Sequence, residues 1–210
     1  GGKLKAMGLE IKRSDTPEFI QDFLEEVLVD CLNGVGESDV LGKIISFKDY
    51  FKNLPAWEKG TPKRANNVTM YSGRMLQQSK VSSSMRLHKL EALEQQGQSS
   101  MIPGHVRASI NWNNLKEAYS DAYSLPITDG MKVIVCKLKN NAMGYTSVAY
   151  PTDELNLPQW FKDLPFDEEL MEETVVDKKV KNVLSPMGFD LDKTTQSKTL
   201  AKFFDFWSKK

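Results

Sequence analysis

Apolar positions recur at steps of three and four residues from Phe19 through Ile20, Phe23, Leu24, Val27 and Leu28 to Cys31, which predicts an amphipathic helix. Ser14-Asp15-Thr16-Pro17 ahead of it offers an N-cap candidate and a proline where a missing N–H is tolerated. Asn33-Gly34 behind it has the composition of a C-cap. A second helix is predicted from Ser38, with Val40, Leu41, Ile44, Ile45, Phe47, Tyr50 and Phe51 on its apolar side, to a stop near Leu54-Pro55. Before both, Leu4, Met7, Leu9 and Ile11 alternate in part with polar residues, so residues 3–12 are expected to be extended.

The pattern then breaks. From Glu58 to Tyr71 the chain is basic and rich in turn formers, and residues 72–101 are poor in large apolar groups, apart from a short stripe at Leu87, Leu90 and Leu93. That stretch reads as a flexible insertion. A short helix is predicted around 106–119, then a turn at Asp129-Gly130, and strands over Met131–Lys139 and Tyr145–Tyr150 joined through Asn140-Asn141 and Gly144. Trp160–Leu164 and Asp167–Leu184 read as acidic-faced helices, and residues 193–210 form a basic tail with several aromatics. The expected class is α+β: a mainly helical domain with a small antiparallel sheet. No internal repeat is present.

Overall charge is silent, since 28 Lys and Arg balance 28 Asp and Glu. The charges are nevertheless sorted along the chain. Residues 1–15 carry four cations (Lys3, Lys5, Lys12, Arg13) against Glu10 and Asp15, and residues 56–114 carry eight against three carboxylates. Residues 151–177 carry nine carboxylates against Lys162 alone. Such sorting suits a protein that offers one face to a polyanion, and it equally suits ordinary solvated helix faces. No apolar run reaches the roughly 18–20 residues that span a bilayer, and no secretory h-region opens the chain, so it is expected to be intracellular and to bind no membrane. Because it begins Gly-Gly-Lys, it also reads as a piece of something longer.

Candidate chemistry is sparse. Cys31 and Cys136 both sit in apolar surroundings and read as small buried hydrophobes; with only His88 and His105 beside them they make no zinc site of the usual spacing. Asp190-Leu191-Asp192 offers a pair of hard oxygen ligands but reads as a solvated turn. Neither a nucleophile elbow nor a phosphate-cradling glycine loop occurs, and no residue is assigned a catalytic role. Nucleic-acid candidates are better represented. Lys63 and Arg64 supply cations, Thr61, Asn66 and Asn67 supply hydrogen-bonding groups, and Gly60 and Pro62 allow close backbone approach. His105 and Arg107 stand at the start of a predicted helix, where an arginine can pair with phosphate or with an acidic neighbour. In the tail, Leu200, Phe203 and Phe204 lie within about one helical turn. That spacing suits a plug for a hydrophobic pocket on a partner, or a terminal helix docked on its own domain.

Taken in order, several of these segments resemble the C-terminal part of family B DNA polymerases of the kind found in T-even-like tailed phages. Residues 3–14, Lys-Leu-Lys-Ala-Met-Gly-Leu-Glu-Ile-Lys-Arg-Ser, are similar to the palm-to-thumb junction of that family. Residues 61–67 with Tyr71 resemble a thumb loop, His105-Val-Arg-Ala108 with Asn111 and Asn113 resembles its His-Val-Arg-Ala segment, and Asp129-Gly-Met-Lys-Val-Ile134 its aspartate-glycine strand. Leu200-x-x-Phe203-Phe204 is similar to its sliding-clamp peptide, although Ser197 stands where a glutamine is usual. The resemblance leaves out residues 72–101.

It implies a junction over 1–15, a thumb over 16–192 and a clamp-binding tail over 193–210. Lys3, Lys5, Lys12, Arg13, Lys63, Arg64, Asn66, Asn67, His105 and Arg107 would face double-stranded primer–template DNA. Leu200, Phe203 and Phe204 would bind the sliding clamp. The family's Mg²⁺-holding palm carboxylates, its triphosphate-gripping lysine and its exonuclease motifs have no counterpart in the 210 residues. A palm in further polymerase domains or in a separate subunit, holding Mg²⁺ in the cytoplasm of an infected bacterial host, is therefore implied, and this chain alone is expected to be inactive. The alternative is a non-enzymatic nucleic-acid-binding or clamp-adaptor protein.

Overall fold

A computed structural model describes residues 2–77 and 102–189 of the chain. Among them the fold is mainly helical with one three-stranded antiparallel sheet, the α+β class expected. It divides into two compact units, Gly1–Thr61 with Glu168–Lys210 and Pro62–Asp167.

The first unit begins with α1 (Gly2–Ile11), which corrects the extended reading of residues 3–12. Met7 and Ile11, one helical turn apart, are buried, whereas Leu9, the residue that completed the apparent alternation, is 66% exposed. Helix α2 (Glu18–Leu32) follows. Its cap position falls on Pro17 and no side chain caps it, so the N-cap expected from Ser14-Asp15-Thr16-Pro17 is not formed. Instead Gln21 Nε2 donates back to the carbonyls of Thr16 (2.9 Å) and Arg13 (3.1 Å) and fixes the α1–α2 link. At the other end Gly34 takes φ +73°, a left-handed value that favours glycine, just past the Asn33 cap.

Helix α3 (Glu37–Lys52) packs Val40, Ile44 and Phe51 into the core, and Phe47 stacks on Phe23 with ring centroids 3.8 Å apart. Each large side chain taken fully out of water contributes about 1.5–3 kcal/mol before chain entropy is set against it. A 3₁₀ turn (Ala56–Lys59) precedes the departure from this unit. The return brings α7 (Glu168–Glu172), a π-helical turn (Glu173–Asp177) and α8 (Lys178–Leu184), which add Met171, Val175, Val176, Val180, Val183 and Leu184 to the buried set.

The second unit holds β1 (Thr61–Ala65) from Pro62 onward, α4 (Val68–Gln77), α5 (Gly104–Ala118), β2 (Met131–Lys137), β3 (Ser147–Pro151) and α6 (Gln159–Lys162), with strand order β1-β2-β3. The basic loop is thus a strand in its central part, and the segment read as an insertion starts inside α4; its residues 78–101 lie outside the described ones. Strands β2 and β3 pair from Val133 opposite Pro151 to Lys137 opposite Ser147. Helix α5 lies on this pair, with Trp112 fully buried and edge-on to Phe161. Asn111, also buried, satisfies itself by donating to the Ser147 carbonyl at 2.9 Å. Cys136 is buried, and burial pushes its thiol well above the ordinary range; Cys31 is half-buried against the first core.

Candidate nucleic-acid interface

Three sequence segments that carry polar and basic candidates come together in the second unit. Along β1 successive side chains point to opposite faces, so Lys63 and Arg64 do not stand side by side. Arg64 Nη1 donates to the Gly130 carbonyl at 2.9 Å, and Gly130 N donates to the Ala65 carbonyl at 2.7 Å. Gly130 has φ +84°, which lets the Asp129-Gly130 turn close against the strand. Asp129 Oδ1 accepts from Thr69 N at 3.0 Å in the first turn of α4, and this bond, ahead of the smaller effects, holds the carboxyl below its ordinary value. Asn66 and Asn67 form the exposed turn between β1 and α4, Asn67 at φ 65°, a conformation asparagine tolerates better than most residues.

His105 enters from α5, near enough for the Lys63 charge to be felt. Burial first and Lys63 second lower its pKa, so the ring is neutral at pH 7. Pro103 occupies the cap position of this helix with no side-chain cap, and its carbonyl accepts from Val106 N and Arg107 N. His105 and Arg107 are both half-buried, whereas Arg64 is exposed. The result is a set of donors and cations that suits phosphate and sugar oxygens.

The other four candidates belong to the first unit. Lys3, Lys5 and Lys12 are exposed on or next to α1. Arg13 is partly neutralised, with Glu10 at 3.3 Å and Asp15 at 3.7 Å. The clamp-binding candidates Leu200, Phe203 and Phe204, and the Asp190-Leu191-Asp192 pair, lie outside the described residues.

Two features escaped the sequence reading. Lys59, a cation within the stretch from Glu58 to Tyr71 that reads as basic and turn-rich, is 3% exposed and ion-paired. Asn113 grips Ile127 twice, donating to its carbonyl (2.9 Å) and accepting from its amide (2.8 Å), which makes it a scaffold for the chain leading into β2. A polar residue on the inner face of a predicted helix was the available signal. Among the described residues no three His, Cys, Asp or Glu side chains converge as metal ligands, and no helix is long and apolar enough to cross a membrane.

No protein-family model matches the chain, and no curated protein matches it.

Proposed function

We propose that this chain is the thumb portion of a family B DNA polymerase, gripping primer–template duplex DNA through phosphate and sugar contacts while the nucleotidyl transfer takes place on a palm elsewhere. The observation that carries the reading is the convergence of residues 61–67, 105–108 and 129–134 in one unit through the Arg64–Gly130, Gly130–Ala65 and Lys63–His105 relationships. The same segments carry the resemblance. The tail would tether the enzyme to a sliding clamp through Leu200, Phe203 and Phe204.

Duplex binding measured across a salt series tests the interface. Removing one cation that neutralises a phosphate lowers the slope of log K against log salt by about 0.9, so Lys63→Ala with Arg64→Ala should flatten it by up to ~1.8, equally on unrelated sequences. An unchanged slope in a folded double variant returns the strand to ordinary surface. Primer extension with Mg²⁺ and all four nucleotides should give nothing, because two-metal displacement needs carboxylates that this sequence lacks. The non-enzymatic alternative is separated by the genome: a palm-encoding frame upstream of Gly1 or in a neighbouring gene supports the polymerase.

A further inference from the structure

Within the second unit, the loop between α5 and β2 is held by side chains around it. Asp121 Oδ1 accepts from Tyr123 N and Ser124 N, each at 3.0 Å, and Asp121 Oδ2 accepts from Ser124 Oγ at 2.6 Å and Trp160 Nε1 at 2.9 Å. Leu125 N donates to Glu154 Oε2 at 2.7 Å, while the carbonyls of Asp121 and Leu125 accept from Lys116 Nζ and Trp112 Nε1. With these amides and carbonyls engaged internally, an added strand finds few groups to pair with, and recognition falls to side chains. At the start of the loop Ser120 takes φ 52°, its amide bonded to the Glu117 carbonyl and that of Asp121 to the Lys116 carbonyl, a helix ending at which glycine is usual. Groups fixed this firmly meet a partner at little further ordering cost.

The loop meets solvent with rings and carboxylates. Tyr123 is 98% exposed, Tyr119 and Leu125 are also exposed, and Leu155, 92% exposed, follows the Glu154 that holds Leu125. Tyr119 stacks on Trp160 with centroids 5.3 Å apart, and Trp160 is itself bonded to Asp121, which fixes the pair of rings. Beside them opens a cavity of about 500 Å³ whose lining includes Asn114, Glu117, Ser120 and Pro126. The two segments that make this surface, 113–126 and 151–163, carry Glu117, Asp121, Asp153, Glu154 and Asp163 against Lys116 and Lys162. Glu117 and Asp153 are exposed, and Lys116 is committed to the Asp121 carbonyl. Aromatic faces and carboxylates both attract cations, and both are repelled by phosphate.

We infer that this surface docks a basic, arginine-bearing segment of a separate polypeptide. A guanidinium is planar, so it lies flat on a tyrosine ring and forks onto a carboxylate, and one side chain satisfies both halves of the surface's chemistry. Two exposed tyrosines, Glu117 and Asp153 on either side, and the apolar Leu125 and Leu155 offer more contacts than one small cation makes. They fit a segment that alternates cationic and apolar side chains. Charge complementarity selects the partner, since the same carboxylates disfavour nucleic acid and anionic lipid. The inference does not rest on the polymerase reading, because it uses none of the residues assigned to DNA.

Titration of the full chain, labelled with 5-fluorotryptophan, tests it. The probe is a short synthetic peptide of arginines interspersed with leucine and serine, and the control carries glutamate in place of arginine. Trp160 reports from beneath Tyr119, and Trp160→Phe identifies its signal among those of Trp57, Trp112 and Trp207. The arginine peptide should displace the Trp160 signal and leave Trp57 in place, and the control should move neither. Tyr123→Ser with Leu155→Ser should weaken binding about tenfold or more, the scale of losing interface anchors. Glu117→Gln with Asp153→Asn should weaken it too and lower its salt dependence. A Trp112 signal that matches wild type before titration shows that a variant folds, and if the apolar pair fails this, the charge pair decides. No displacement up to ~1 mM peptide overturns the inference. So does a displacement that Trp57 shares, that both variants leave intact, or that free arginine or duplex DNA produces equally. A Trp160 signal that moves with protein concentration alone assigns the surface to a second copy and also overturns it.

Discussion

Lys59 Nζ donates to Glu168 Oε1 at 2.7 Å across 109 residues of sequence, joining the last turn before the chain leaves the first unit to the first residue after it returns. The same ammonium donates to the Lys52 carbonyl at 3.0 Å and lies 5.6 Å from the centre of the Phe51 ring. One buried cation therefore closes the neck of a 106-residue excursion, Pro62–Asp167.

Lys59→Ala should cost about 2 kcal/mol in chemical denaturation, since hydrogen bonds to a charged group are worth roughly 1.5–3 kcal/mol and the stem's packing on Phe51 disappears too. Glu168→Gln should cost less than 1 kcal/mol, because that carboxylate is half-exposed and its share of the pair is screened. Equal losses in the two variants would mean that the ion pair, rather than Lys59's own burial, dominates.

Asn113→Ala strands both the amide and the carbonyl of Ile127, so a loss of about 2–3 kcal/mol is expected. Asn113→Asp keeps the acceptor but loses the donor and should fall between wild type and Ala. Thermal melts rank the three proteins, and an alanine variant as stable as wild type would show that water replaces both bonds.

These two residues show where sequence reading stops. Helices α2 and α3 were legible because their apolar stripes keep the helical period, and the turns at Gly34, Gly130 and Gly144 were legible because left-handed backbone favours glycine. Strand β1 was not, since among Thr61–Ala65 only Ala65 is buried and the strand exists through pairing with β2. Lys59 looked like a loop cation because its partner lies 109 residues away, beyond any local pattern. In α1 three apolar residues fitted a period of two by accident, and only the exposure of Leu9 separates the two readings.

The neutral state of His105 links the interface to pH. Its folded pKa lies below the ordinary imidazole value of ~6.5, so the fold binds its proton less tightly than the unfolded chain does, and the stability it contributes is lost as pH falls through that window. Protonation places a second cation by Lys63. Duplex binding should therefore tighten on acidification below about pH 6.5, with the salt slope rising by up to ~0.9, and His105→Ala should remove the rise. A rise that persists in the variant would locate the titrating group elsewhere.

Acid should act on the two units with opposite signs. In the second, burial alone would raise the Asp121 carboxyl, but the hydrogen bonds from Ser124, Trp160 and Tyr123 outweigh it and hold it well below the usual range, and Asp129 is lowered by Thr69. Their contribution is complete above the unfolded value of ~3.9 and disappears as pH falls through the folded ones. In the first unit burial, aided by Asp177, raises Glu172 against the pull of Lys48, Lys52 and Lys59. Its contribution is complete below an unfolded value of ~4.3 and is lost as pH rises through the folded one. Asp121→Asn should flatten the acid limb reported by Trp112 and Trp160, and Glu172→Gln should flatten the weakly acidic slope reported by Trp57. Unaltered acid profiles would refute both assignments.

The π-helical turn at Glu173–Asp177 accommodates one residue more than an α-helical turn would. Met171 before it and Val180, Val183 and Leu184 after it are all buried, although an unbroken α-helix would carry the two groups out of step by about 100°. The apolar stripe is written in two phases, and the turn is the joint between them. Removing a single residue from the turn would leave an unbroken α-helix with both groups still in phase, whereas keeping every residue and regularising the turn would rotate the last two turns out of the core, so the register here is guarded by an irregularity rather than by a perfect repeat.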